Sequence, residues 1–140
     1  MKRLMKRLAM SFCAALLMHA GMAQACGVCV EDKVAATYDH AVVQRAAAGG
    51  QLVVFCEIVG PVDAARIRKA AQAVRGLDTS SVRVSETPAA ISFVVDPAKQ
   101  SPQAAAGAIQ RGLAKGIEVK VLRLMDSKGL REPAAQLVTK

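Results

Sequence analysis

The chain has 140 residues, enough for one domain behind a leader, and about half of them are hydrophobic. Its net charge is +8, with one tyrosine and no tryptophan. Such a chain argues against a nucleic-acid binder, which would set a basic stripe beside aromatic side chains for stacking.

Residues 1–25 read as a secretory signal peptide. Lys2, Arg3, Lys6 and Arg7 form a positive start and supply half of the net charge. Leu8 to Met18 is the apolar run, and Ala23-Gln24-Ala25 is a small-residue cleavage site. The run is short for a membrane span, so no stable membrane insertion is expected. The expected location is periplasmic or secreted. Cleavage there makes Cys26 the first residue of the mature chain. A lipoprotein signal is the competing reading, but Ala23 and Gln24 stand where an aliphatic residue and a small one would precede the cysteine. An acylated Cys26 could not bind metal through sulfur.

Cys26-Gly27-Val28-Cys29 and a helix make up residues 26–50. Val30, Val34, Tyr38, Ala41 and Val42 share a stripe at helical spacing, which predicts one helix from Glu31 to Ala48 ended by Gly49-Gly50. Gln51 to Val59 is β-branched and almost continuously apolar, the pattern of a strand buried on both faces and central in its sheet. Asp63 can cap a helix whose inner face is Ile67, Ala70, Ala71, Val74 and Leu77. Arg66, Arg68, Lys69 and Arg75 gather on that helix and read as a solvated face. Ser81 to Ser85 and the run Ile91, Phe93, Val95 alternate as strands around a turn at Glu86 to Ala89. Ser101-Pro102 opens a second helix, with Ala105, Ala108, Ile109 and Leu113 facing in. Ile117 to Leu124 is a last strand, and residues 126–140 read as a loosely held tail.

From residue 51 the order is therefore β-α-β-β-α-β, the ferredoxin-like split βαβ, over residues 51–125. The fold class is α+β, with the N-terminal helix as an addition. The sheet's own two helices cover one face, so the added helix is expected on the other. It should bring Val34, Tyr38 and Val42 beside Leu52, Val54 and Cys56, or beside the alternate face of that strand.

Gln51 to about Met125 resembles a heavy-metal-associated domain. The likeness is carried by element order, by Leu77-Asp78-Thr79-Ser80-Ser81-Val82-Arg83-Val84, and by Ala104 to Gly116 followed by Ile117-Glu118-Val119. The resemblance implies the fold of copper chaperones and soft-metal pumps. That family carries Gly-Met-x-Cys-x-x-Cys after its first strand. Here the corresponding loop is Val59-Gly60-Pro61-Val62-Asp63, without sulfur.

The chain's own Cys-x-x-Cys lies ahead of the extra helix. Two thiolates three residues apart can close on one soft ion, monovalent copper above all, with zinc or mercury also suited. A helix N-terminus lowers thiolate pKa, which serves metal binding and disulfide exchange alike. Cys26 and Cys29 are thus the candidate metal ligands. Cys56 is a candidate third ligand, against the plainer reading of a small hydrophobe in a central strand. His40 lies about 16 Å beyond Cys29 along a continuous helix. Glu31 and Asp32 are expected to favour the helix N-terminus. No catalytic set and no cofactor site stand out, so an enzyme is the weaker expectation. The functional reading is a soft-metal binding or carrier protein, with a metal-handling or redox protein as its expected partner. The alternative is a thiol-disulfide redox protein using the same cysteines.

Overall fold

A computed structural model describes residues 29 to 133. Cys26, the leader and residues 134–140 lie outside the described residues. The described residues are α+β, with four helices and one five-stranded antiparallel sheet. The helices are α1 (Val30–Thr37), α2 (His40–Ala48), α3 (Ala64–Gln72) and α4 (Pro102–Arg111). The strands are β1 (Leu52–Val59), β2 (Leu77–Glu86), β3 (Ala89–Val95), β4 (Glu118–Asp126) and β5 (Gly129–Arg131). Sheet order is β2-β3-β1-β4-β5, compatible with a ferredoxin-like arrangement that has one short strand added at an edge.

β1 is central, as its continuous apolar run predicts, pairing with β3 on one side and β4 on the other. Its side chains alternate between two cores. Leu52, Val54, Cys56 and Ile58 pack with Ile67, Ala71, Ala105 and Ile109 beneath α3 and α4. Val53 and Phe55 point the other way, with Val94, and pack against Val34, Val42 and Ala46. The N-terminal helical segment thus covers the face that α3 and α4 leave open, through the alternate set of β1 side chains.

That segment is two helices, not the single one expected from the stripe. The break falls at Tyr38-Asp39, both in extended conformation. Asp39 caps α2, its Oδ1 accepting from the Ala41 and Val42 backbone N–H groups at 3.0 and 3.2 Å. A carboxylate that satisfies the free amides of a new helix favours a restart over continuation. Tyr38, expected in the core, is 44% exposed because the break swings it off the stripe.

The start signals at α3 and α4 act as expected. Asp63 accepts from Ala65 and Arg66, and the Ser101 hydroxyl accepts from Ala104. Leu77 is not the last inner position of α3 but the first residue of β2, since α3 ends by Ala73 and Gly76 turns the chain at φ +81°. β2 is longer than its alternation implies. Its pairing with β3 shifts between Asp78 and Arg83, where Ser81 substitutes for the ladder. The buried Ser81 hydroxyl donates to the Asp78 carbonyl and accepts from the Val94 N–H at 2.8 Å. The expected tail also begins with structure: β4 and β5 form a hairpin, with Asp126 accepting from the Lys128 N–H and Gly129 at φ +115°. At the other end of the sheet Gly60, at φ +117°, lets the loop after β1 approach Gly116. A side chain at Gly60 would come within 2.8 Å of the Gly116 carbonyl.

Candidate functional site

Cys29 stands immediately before α1, exposed to solvent. Its backbone N–H donates to Asp32 Oδ2 at 3.1 Å, and its carbonyl accepts from the Asp32 and Lys33 N–H groups at 3.1 and 3.3 Å. Asp32 therefore fastens the cysteine backbone to the first turn as well as placing charge at the helix N-terminus. The cysteine's partner in the motif, Cys26, lies outside the described residues.

Three contacts hold α1 in place. Lys33 pairs with Glu57 of β1. Glu31 meets Arg123 of β4 at 3.4 Å. At the far end Ser92 of β3 donates its hydroxyl to the Thr37 carbonyl at 2.7 Å in a buried setting. That bond satisfies a carbonyl which the end of α1 would otherwise strand. A fourth contact anchors the break: Arg83 of β2 meets Asp39 Oδ2 through Nε at 2.9 Å and Nη2 at 2.8 Å. The Val42 N–H, and then the Arg83 guanidinium, hold the Asp39 carboxyl below its ordinary value. Cys29 thus caps a helix that side-chain contacts hold to the sheet.

Cys56 does not join it. Its side chain is 1% exposed among the residues beneath α3 and α4, whereas Cys29 belongs to the helices on the opposite face. Burial without a charged neighbour pushes the Cys56 thiol up, so it resists forming the thiolate that a metal needs. His40 is likewise apart: it is exposed in the first turn of α2, 3.4 Å from the Tyr38 hydroxyl. Among the described residues no group of three or more His, Cys, Asp or Glu side chains converges on a point that could hold a metal ion. No helix among the described residues is long and apolar enough to cross a membrane.

Local sequence pattern gives Glu31 only a general electrostatic role and gives Lys33, Asp39, Arg83 and Arg123 no partners. These pairs join residues 24 to 92 positions apart, which periodicity cannot see. The one available signal was Asp39 itself, an N-cap residue interrupting an otherwise helical pattern. No protein-family model matches the chain, and no curated protein matches it.

Proposed function

We propose that the chain is a periplasmic or secreted soft-metal binder or carrier. Cys26 and Cys29 would hold the ion as cargo, with monovalent copper the best suited to two thiolates. The domain that presents them is read as a ferredoxin-like sandwich of the heavy-metal-associated kind, with α1 and α2 as its N-terminal addition. The observation that carries the reading is Cys29 itself: exposed, at the positive end of a helix, on an element pinned to the sheet. Exposure leaves the thiol open to an incoming ion, and pinning favours a reproducible geometry. All five described strands follow Cys29 in the chain. A thioredoxin-type enzyme places its motif after a strand, so this order supports carriage over disulfide exchange.

The test is anaerobic copper titration of the exported, reduced protein. About one monovalent ion should bind per chain, as a two-thiolate site requires, and binding should weaken as protons compete at low pH. Cys26→Ser and Cys29→Ser should each abolish it, while Cys56→Ser leaves it unchanged. Turnover in a disulfide-reduction assay, with no copper retained against a modest chelator, would establish the redox reading instead. A diacylglycerol mass on Cys26 would remove one of the two ligands.

A further inference from the structure

On the side of the sheet away from Cys29, α3 and α4 do not close against each other. Leucines along the seam would have filled it, but the facing positions are small: Ala70 and Ala73 on α3's side, Ala108 and Gly112 on α4's. The helices meet closely where Gly112 abuts Ala70, a side chain at that glycine coming to 3.1 Å from the Ala70 Cβ. A groove of about 750 Å³ remains. That size lies within the range of about 300–1,000 Å³ usual for small-molecule sites. Its floor is apolar, formed by Val62, Ile67, Val74, Leu113 and Ile117.

The rim is cationic. Arg66, Lys69, Arg75 and Lys115 border the groove, against one carboxylate, Asp63. That carboxylate is already engaged, capping α3 and facing Arg66 at 3.4 Å. Lys69, Arg75 and Lys115 meet no carboxylate among the described residues. Gln100 also borders the groove. The amide oxygen of Gln100 is buried and has no hydrogen-bond partner among the described residues. It lies beside Gly76, hence next to Arg75 in the chain, where a glycine side chain would come to 3.5 Å from it. A buried acceptor left unmet is costly, and a donor brought by a ligand would relieve it.

We propose that this groove binds a small organic anion with an apolar body, of the class of N-acyl amino acids. The acyl chain would lie on the apolar floor, the carboxylate among the rim cations, and the amide N–H against Gln100. Free cations around an apolar cleft attract an anionic amphiphile and disfavour a cationic one. The volume suits a small molecule more closely than a folded partner, whose interface would spread over roughly 800 Å² of each surface. The groove lies on the face of the sheet opposite the helices that follow Cys29, so the proposal stands or falls apart from metal binding.

The experiment is titration of the full reduced chain with N-decanoylglycine, followed by amide NMR and calorimetry. Saturable binding should shift the amides of Ala73, Gly112 and Leu113. The uncharged methyl ester should bind at least about tenfold more weakly, because it forfeits a charge-assisted contact. Lys69→Glu with Lys115→Glu should weaken the acid to a similar degree, and both positions are exposed, so the fold should survive. Ala73→Trp, also at an exposed position, should block the groove. Decanoate should bind more weakly than its glycine conjugate, and parity between the two would overturn the assignment to Gln100. No saturable binding overturns the proposal. So does equal binding of acid and ester, or shifts at the groove that follow protein concentration alone, the mark of a second copy seated there.

Discussion

Cys29 and Cys56 are chemically the same side chain in opposite circumstances, and the difference decides what each can do. Cys29 meets solvent at the start of a helix, whereas Cys56 sits among Ile67, Ile109 and the other apolar side chains of the larger core. Because the thiolate is the reacting species, burial suppresses Cys56 twice, by excluding reagent and by raising its pKa. Iodoacetamide should therefore modify Cys29 in the native protein and Cys56 only after unfolding, as mass spectrometry of the digested protein would report. Native labelling of Cys56 at a rate near that of Cys29 would mean that the β1 face opens readily. The residue scale was also where sequence reading was strongest for local chemistry. Asp63 and Ser101 cap the helices expected of them, because an N-cap bond spans only two or three residues. Ser81 illustrates the opposite case. Its hydroxyl serves a carbonyl three residues back and an amide thirteen residues on, and nothing in its neighbours distinguishes it from a solvent-facing serine.

At the scale of elements, the alternation of β1 was legible and its assignment to faces was not. Both residue sets along the strand are apolar, so period-two patterning cannot tell which set meets which helices. The structure gives Phe55 and Val53 to α1 and α2. Phe55 is the largest side chain in that smaller core, so Phe55→Ala should cost about 3–5 kcal/mol in urea unfolding, the usual loss for an aromatic in a packed core. Tyr38→Ala should stay within about 0.5 kcal/mol, as at other exposed positions. The contrast tests the break at Tyr38-Asp39 directly. In one continuous helix Tyr38 would lie on the Val34–Val42 stripe, and its truncation would rival that of Phe55. The break was missed because the stripe runs through it unbroken in sequence. Only the Asp39 cap and its Arg83 partner, 44 residues away, reveal a restart.

The whole molecule is a sheet between two unequal cores, and the inequality makes the weaker side sensitive to acid. Beneath α3 and α4 lies a large apolar cluster, while α1 and α2 meet the sheet through a cluster of six buried residues, three of them their own. Ion pairs at Lys33–Glu57, Glu31–Arg123 and Asp39–Arg83 supplement that smaller contact. Elements with less apolar contact are the ones that open first. Asp39 supplies the pH dependence, because its carboxyl is held below the ordinary value by the Val42 N–H and by Arg83. For a carboxylate with a depressed native pKa, the unfolded chain takes up protons first as pH falls. Its stabilisation is complete above the unfolded value of about 3.9 and is lost as pH drops through the lower native one. Asp39→Asn keeps a capping side chain but cannot form the ion pair. Urea unfolding should therefore show the wild-type chain more stable than Asp39→Asn near neutral pH. The gap should narrow below about pH 4 and vanish once the native carboxyl is protonated. A gap of the same size at about pH 2 would assign the effect to side-chain shape instead of charge. Arg83→Gln should reproduce the neutral-pH loss, and in the double variant the two losses should not add, since each removes the same pair.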